Sequence, residues 1–220
     1  MTYVAPTILV PTEAVLKERI AAIRQVYVRA QIDVLNDTFV KASSFADAQV
    51  IDGVIHSVTC EVDLMVDMSN YDLAQWNKSW VDKIAFHIEA ITDPRPIIEL
   101  IKSWGKKVFL SLNPDTSIGA LEPYIKTIDG VLFMTVHPGR SGNPFQPQVL
   151  DAIKEFHDRH REVEIEVDGG VNVDTLPSLL SVGVSGFAVG SYLDNNHIED
   201  RSQKLLSIIE NFESHRKSRS

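Results

Sequence analysis

One cysteine, Cys60, stands in 220 residues, so no disulfide can form within the chain, and a reducing, cytoplasmic setting is expected. The apolar run around it reads as a buried, inert thiol rather than a nucleophile. No apolar run is long enough to span a bilayer, and Met1-Thr2-Tyr3 does not lead from a charged segment into an apolar one. Neither a membrane anchor nor a secretory leader is expected. Positive charge is scarce: 21 Lys and Arg against 30 Asp and Glu leave a net charge of −9. That argues against nucleic acid and against an anionic membrane as partners, although a local pocket for a phosphate stays compatible with it. Glycine is missing where an open dinucleotide-binding sheet carries a glycine-rich turn: after the first apolar run the chain reads Val10-Pro11-Thr12.

What is present is an ordinary globular composition, 44% hydrophobic, in a chain that fits one large domain better than two small ones. Val4 to Val10 is a short apolar run, and Thr12 is placed to cap a helix carrying Val15, Leu16, Ile20, Ile23 and Tyr27. The alternation then repeats. Strands are predicted over Ala30–Leu35, Cys60–Val66, Lys83–Ile88, Lys107–Leu112, Val131–Val136, Glu164–Gly170 and Gly186–Val189. Helices are predicted over Ala46–Ser57, Tyr71–Trp80, Pro94–Trp104, Ile118–Ile125, Gln148–His160 and Thr175–Val182. A last helix turns Leu205, Leu206, Ile209 and Phe212 inward, and Gly105 sits where a C-cap belongs. Trp76, Trp80 and Trp104 fall on helices and read as packing. About eight strand–helix units predict an α/β single-domain (β/α)8 TIM barrel over residues 1–214, with a basic, polar, disordered tail at 215–220.

In a parallel barrel the functional face lies at the strand ends. Asp33 sits in Gln31-Ile32-Asp33-Val34, Asp63 in Glu61-Val62-Asp63-Leu64-Met65, and Asp168 opens the turn Gly169-Gly170. Strand alternation puts Gln31 with Asp33 on one face, and Glu61 with Asp63 and Met65. A single strand-end acid can be structural, tied to a cation or to backbone; three at one end of a barrel favour a site. Glycines form the second constellation: Gly139 and Gly142 after the sixth strand, Gly169 and Gly170 after the seventh, and Gly190-Ser191 after the eighth. Their backbone N–H groups suit a phosphate. His87, flanked by Phe86 and Ile88, reads as a structural or supporting residue rather than a metal ligand.

These residues resemble the ribulose-phosphate 3-epimerase family. The resemblance is strongest in Phe133-Met134-Thr135-Val136-His137-Pro138-Gly139, Val167-Asp168-Gly169-Gly170-Val171-Asn172 and Val189-Gly190-Ser191. Ala5-Pro6-Thr7-Ile8-Leu9, His87-Ile88-Glu89-Ala90 and Leu112-Asn113-Pro114 also fit. The resemblance implies an epimerase interconverting ketose phosphates, D-ribulose 5-phosphate and D-xylulose 5-phosphate, through an enediolate. Asp33 and Asp168 would be the proton carriers, and Thr7, Asp63 and Met65 would touch substrate. The phosphate would rest on Gly170, Gly190 and Ser191, Gly169 would also touch substrate, and Gly139-Arg140-Ser141-Gly142 would close over the sugar. It also implies self-association into a homo-oligomer and a divalent metal on the enediolate oxygens.

The departures from the family pattern concern that metal. Where H-x-D-x-M-D-G and D-x-H-L-M put histidine ligands, this chain has Gln31 and Asp63. A set suited to zinc or iron(II) becomes the oxygen donors Gln31, Asp33, Asp63 and Asp168, which favour Mg²⁺ or Mn²⁺. Two readings follow: the site holds a harder ion, or it works with none and a shared proton relieves the repulsion. In the loops, Asn36-Asp37 and Lys41-Ala42 replace D-G and P-N, and Arg140 is read equally as an anion clamp or as an exposed loop arginine. Two alternatives in function follow, a related epimerase or isomerase on another phosphorylated sugar and a non-catalytic phosphosugar-binding protein.

Overall fold

The computed structural model describes residues 2–139 and 142–218. Eight parallel strands close into a barrel in chain order: β1 Tyr3–Ile8, β2 Arg29–Leu35, β3 Thr59–Met65, β4 Val81–His87, β5 Lys107–Leu112, β6 Gly130–Met134, β7 Glu164–Asp168 and β8 Gly186–Val189. The six α-helices among the described residues are α1 Glu13–Ile23, α2 Ala48–Asp52, α3 Arg95–Ser103, α4 Val149–Arg159, α5 Leu176–Ser181 and α6 Ile198–Lys217. Thr12 Oγ1 accepts from Val15 N at 3.4 Å as the cap of α1. No helix among the described residues is long and apolar enough to cross a membrane.

Three predicted helices shrink. The stretch expected as a helix over Tyr71–Trp80 holds a 3-10 turn at Leu73–Trp76, after another at Met68–Asn70. Asp67 and Asp72 accept from Ser69 N and Ala74 N, so each carboxylate starts a fresh turn instead of continuing one helix. Over Ile118–Ile125 only Ile118–Leu121 is helical, again 3-10, and Pro123 has no N–H to extend it. The segment Ala46–Ser57 contracts to α2, capped by Asp47. In α6, Leu205 and Ile209 are buried and Phe212 packs on the core, but Leu206 is 41% exposed. Residues 205, 209 and 212 repeat at i, i+4, i+7, and 206 lies off that stripe. The tail boundary expected at 215 falls inside α6, where His215 Nδ1 meets Asn211 O at 2.6 Å.

Cys60 is fully buried, and burial pushes its thiol well above the ordinary range, as befits an inert packing residue. The barrel interior is divided by chemistry. Ala85, Phe109, Leu132, Met134 and Val136 form an apolar wedge along β4 to β6. Facing it, Gln31, Asp33, Glu61, Asp63, Lys83 and Glu166 are all buried. Lys83 Nζ lies 2.5 Å from Glu61 Oε2, also binds Glu166 Oε2, donates to Tyr3 OH at 2.7 Å and sits 4.3 Å from the Phe109 ring centroid. This cation compensates two acids whose isolated burial would be prohibitive.

Candidate active site

Side-chain alternation dictates what reaches the C-terminal mouth. On β2 the inward positions include Gln31 and Asp33, on β3 Glu61 and Asp63, on β7 Glu166 and Asp168. The register sets Asp33 beside Asp63 and Gln31 beside Thr7. Above them opens a cleft lined by Thr7, Asp33, Met65, Asp168 and the glycines 139, 142, 169, 170 and 190 with Ser191. The residues expected at the site therefore do converge, with two qualifications. Asp63 and Gln31 are 1% exposed and lie beneath the lining rather than in it. Arg140 and Ser141 lie outside the described residues.

The acids are tightly organised. Gln31 Nε2 donates to Asp33 Oδ1 at 2.8 Å and to Asp168 Oδ2 at 2.7 Å. Ser111 Oγ donates to Asp63 Oδ1 at 3.0 Å, while Asp63 Oδ2 is buried without a partner among the described residues. Burial pushes the Asp33 carboxyl up to about 7; the Gln31 bond opposes this and the nearby charge of Asp63 reinforces it. Asp168 is driven well above the carboxylate range by burial and then by the charges of Asp33 and Asp63. Asp63 is raised by burial, against the opposing influence of His87 and Ser111. A protonated and an ionised carboxyl side by side is what these environments favour.

The glycines after β7 have specific work. Gly169 has φ +109°, and a Cβ there would lie 2.4 Å from Val136 Cγ2; at Gly170, φ +62°, it would lie 2.8 Å from Phe145 Cβ. Only glycine lets backbone take this path. Thr135 N donates to Asp168 O at 2.7 Å and Thr175 Oγ1 to Gly170 O at 2.9 Å, pinning the turn from both sides.

Of the four oxygen donors weighed for a divalent metal, Gln31 presents its amide nitrogen to both Asp33 and Asp168. Among the described residues no group of three or more His, Cys, Asp or Glu side chains could hold a metal ion. His87 is fully buried, with Nδ1 3.2 Å from Glu89 Oε2 and its ring 5.0 Å from that of Phe39. Against the upward push of burial, hydrogen bonds from His87, Thr116 and the Asn113 amide hold Glu89 down at about 2. His87 thus supports Glu89 through Nδ1, while its Nε2 is buried without a partner among the described residues.

Several site residues escape the sequence reading. Leu9, Leu35, Met134, Val136 and Val171 give the cleft an apolar wall, and Pro138 and Asn143 complete its rim. Alternation along the predicted strand Val131–Val136 was the available signal for Met134 and Val136. Arg19 is buried; its Nε donates to Thr7 O at 3.0 Å, and one terminal nitrogen donates to Leu193 O at 2.5 Å and Asn195 Oδ1 at 2.9 Å. It thereby ties β1 to the turn after β8. Its signal was a charge on the α1 stripe of Leu16, Ile20 and Ile23.

Fold and site together define a closed parallel barrel with a cluster of acids at its C-terminal mouth and glycine turns at the rim. The chain matches the ribulose-phosphate 3 epimerase family over residues 3–193, and it belongs to that family. The ribulose-phosphate 3-epimerase of Bacillus subtilis (strain 168) is 31% identical over 216 residues, 94% of this chain and 98% of that one. The one from Buchnera aphidicola subsp. Baizongia pistaciae (strain Bp) is 36% identical over 154 residues, 68% of this chain. The chain spans 63% of that relative's length. In fold alone, the barrel is similar to a chain of the tryptophan synthase complex from Pyrococcus furiosus, with TM-score 0.66 at 15% identity, covering 96% of this chain and 100% of that one.

Proposed function

We propose that the protein epimerises a ketose phosphate, D-ribulose 5-phosphate to D-xylulose 5-phosphate, at the third carbon. The ionised member of the Asp33–Asp168 pair takes the proton next to the carbonyl, and the C–H electron pair moves into an enediolate. The protonated member then gives its proton to the opposite face of that carbon. No electrons are gained or lost overall. The phosphate rests on the turns at Gly169-Gly170 and Gly190-Ser191, Thr7 contributes its hydroxyl, and Met65 with Met134 walls the reacting carbons. The observation that carries this reading is that Asp33 and Asp168 share one hydrogen-bond donor at the floor of a cleft rimmed by those turns.

Exchanged loop residues at Asn36-Asp37 and Lys41-Ala42 support a second reading, the same chemistry on another phosphorylated sugar. The test is interconversion across a small panel of ketose phosphates, with Asp168→Asn as control. We expect turnover on a pentulose 5-phosphate, and its loss by at least about 10²-fold in the variant. Binding and thermal stabilisation by the sugar phosphate with no turnover would instead favour a non-catalytic binder.

A further inference from the structure

The two acids used by the epimerase reading are joined by an amide. The Gln31 side-chain nitrogen has two hydrogens, and Asp33 Oδ1 at 2.8 Å and Asp168 Oδ2 at 2.7 Å take one each. Its orientation follows from its partners: turned over, the amide would set a carbonyl oxygen against the ionised carboxylate of the pair, acceptor against acceptor. Gln31 is 1% exposed, held on β2 between Thr7 of β1 and Glu61 of β3, so it has no solvent to turn toward. A divalent ion bridging the same carboxylates would have to displace this nitrogen and bring the amide oxygen inward. Asp63 has one oxygen engaged by Ser111 at 3.0 Å and the other buried without a partner among the described residues, so it leaves at most one free oxygen beside the amide-bridged pair.

We propose that Gln31 is a positioning residue that stands in for a bridging cation: its amide fixes Asp33 and Asp168 at the spacing proton transfer needs, and the reaction runs without a divalent metal between them. The proposal rests on the epimerase reading and deepens it. The C–H bond breaks toward one carboxylate and a new one forms from the other acid's proton, so no further reactant is required.

The test uses the full chain, purified without chelator. Bound metal is measured by elemental analysis, and Mn²⁺ is titrated while its electron paramagnetic resonance signal is followed. In parallel, exchange of the substrate's third-carbon hydrogen with deuterated water is measured before and after chelation. The expected result is far less than one metal per chain, no Mn²⁺ site that Asp168→Asn removes, and exchange altered by less than about twofold on chelation. Gln31→Leu, which drops the amide while staying close in size, should lower kcat by about 10–100-fold with little change in KM.

One divalent ion per chain at a site abolished by Asp168→Asn, or exchange lost on chelation and restored by Mn²⁺, would overturn the proposal. An unchanged kcat in Gln31→Leu would overturn it as well. Should that variant not fold, the metal measurements on the unaltered protein decide alone. Absence of exchange on every ketose phosphate tried, with or without metal, would count against the epimerase reading, and the Mn²⁺ titration would still decide this inference.

Discussion

The side-chain amide of Gln31 donates to Asp168 Oδ2 at 2.7 Å, linking residues 137 positions apart across the mouth of the barrel from β2 to β7. That bond makes the two strand ends one unit. It also couples the acids, so that neither can be changed without altering the other's charge.

Asp33 and its buried neighbours fix the direction of the pH dependence of stability. Asp33 has its folded pKa raised to about 7, and Asp63 and Asp168 are raised too. The folded chain therefore binds more protons than the unfolded chain between the ordinary carboxylate range and pH 7. Stability from these groups is full below the unfolded pKa and is lost as pH rises through the folded one. Urea midpoints should accordingly fall from about pH 5 to pH 8, and Asp33→Asn should flatten the curve. A midpoint rising over that range would contradict the assignment.

Lys83 compensates Glu61 and Glu166 in the barrel floor, at 3%, 2% and 0% side-chain exposure. Lys83→Met should cost about 3–5 kcal/mol in urea unfolding, since two buried acids lose their cation. Adding Glu61→Gln and Glu166→Gln should recover much of that loss.

Gly169→Ala places a methyl 2.4 Å from Val136 Cγ2 at φ +109°. We expect a loss of about 1–3 kcal/mol and weakened phosphate binding, read as a raised KM for substrate and a weaker inhibition constant for inorganic phosphate.

Arg19→Met removes the donors that join Thr7 to Leu193 and Asn195. Stability should fall by about 2 kcal/mol, and KM should rise more than kcat falls, because the turn carrying Gly190 and Ser191 loses its brace.

Strand periods, strand-end acids and late glycines were legible in the sequence because each follows from local rules: alternation for Asp33, Asp63 and Asp168, and positive φ for Gly169 and Gly170. The short 3-10 turns were not, since Asp67, Asp72 and Pro123 interrupt helices whose apolar spacing looks continuous. Gln31 was legible as a substitution but not as a bridge: its role depends on Asp168, remote in sequence and brought near only by barrel closure. Leu206 misled because an apolar residue next to a buried one on a helix need not share its face.

The most direct test of the central claim follows the hydrogen on the third carbon of D-ribulose 5-phosphate by NMR in deuterated water. The account predicts that this signal disappears as D-xylulose 5-phosphate grows in, and that Asp168→Asn, still folded, stops both. Epimerisation that persists undiminished in Asp168→Asn would contradict it.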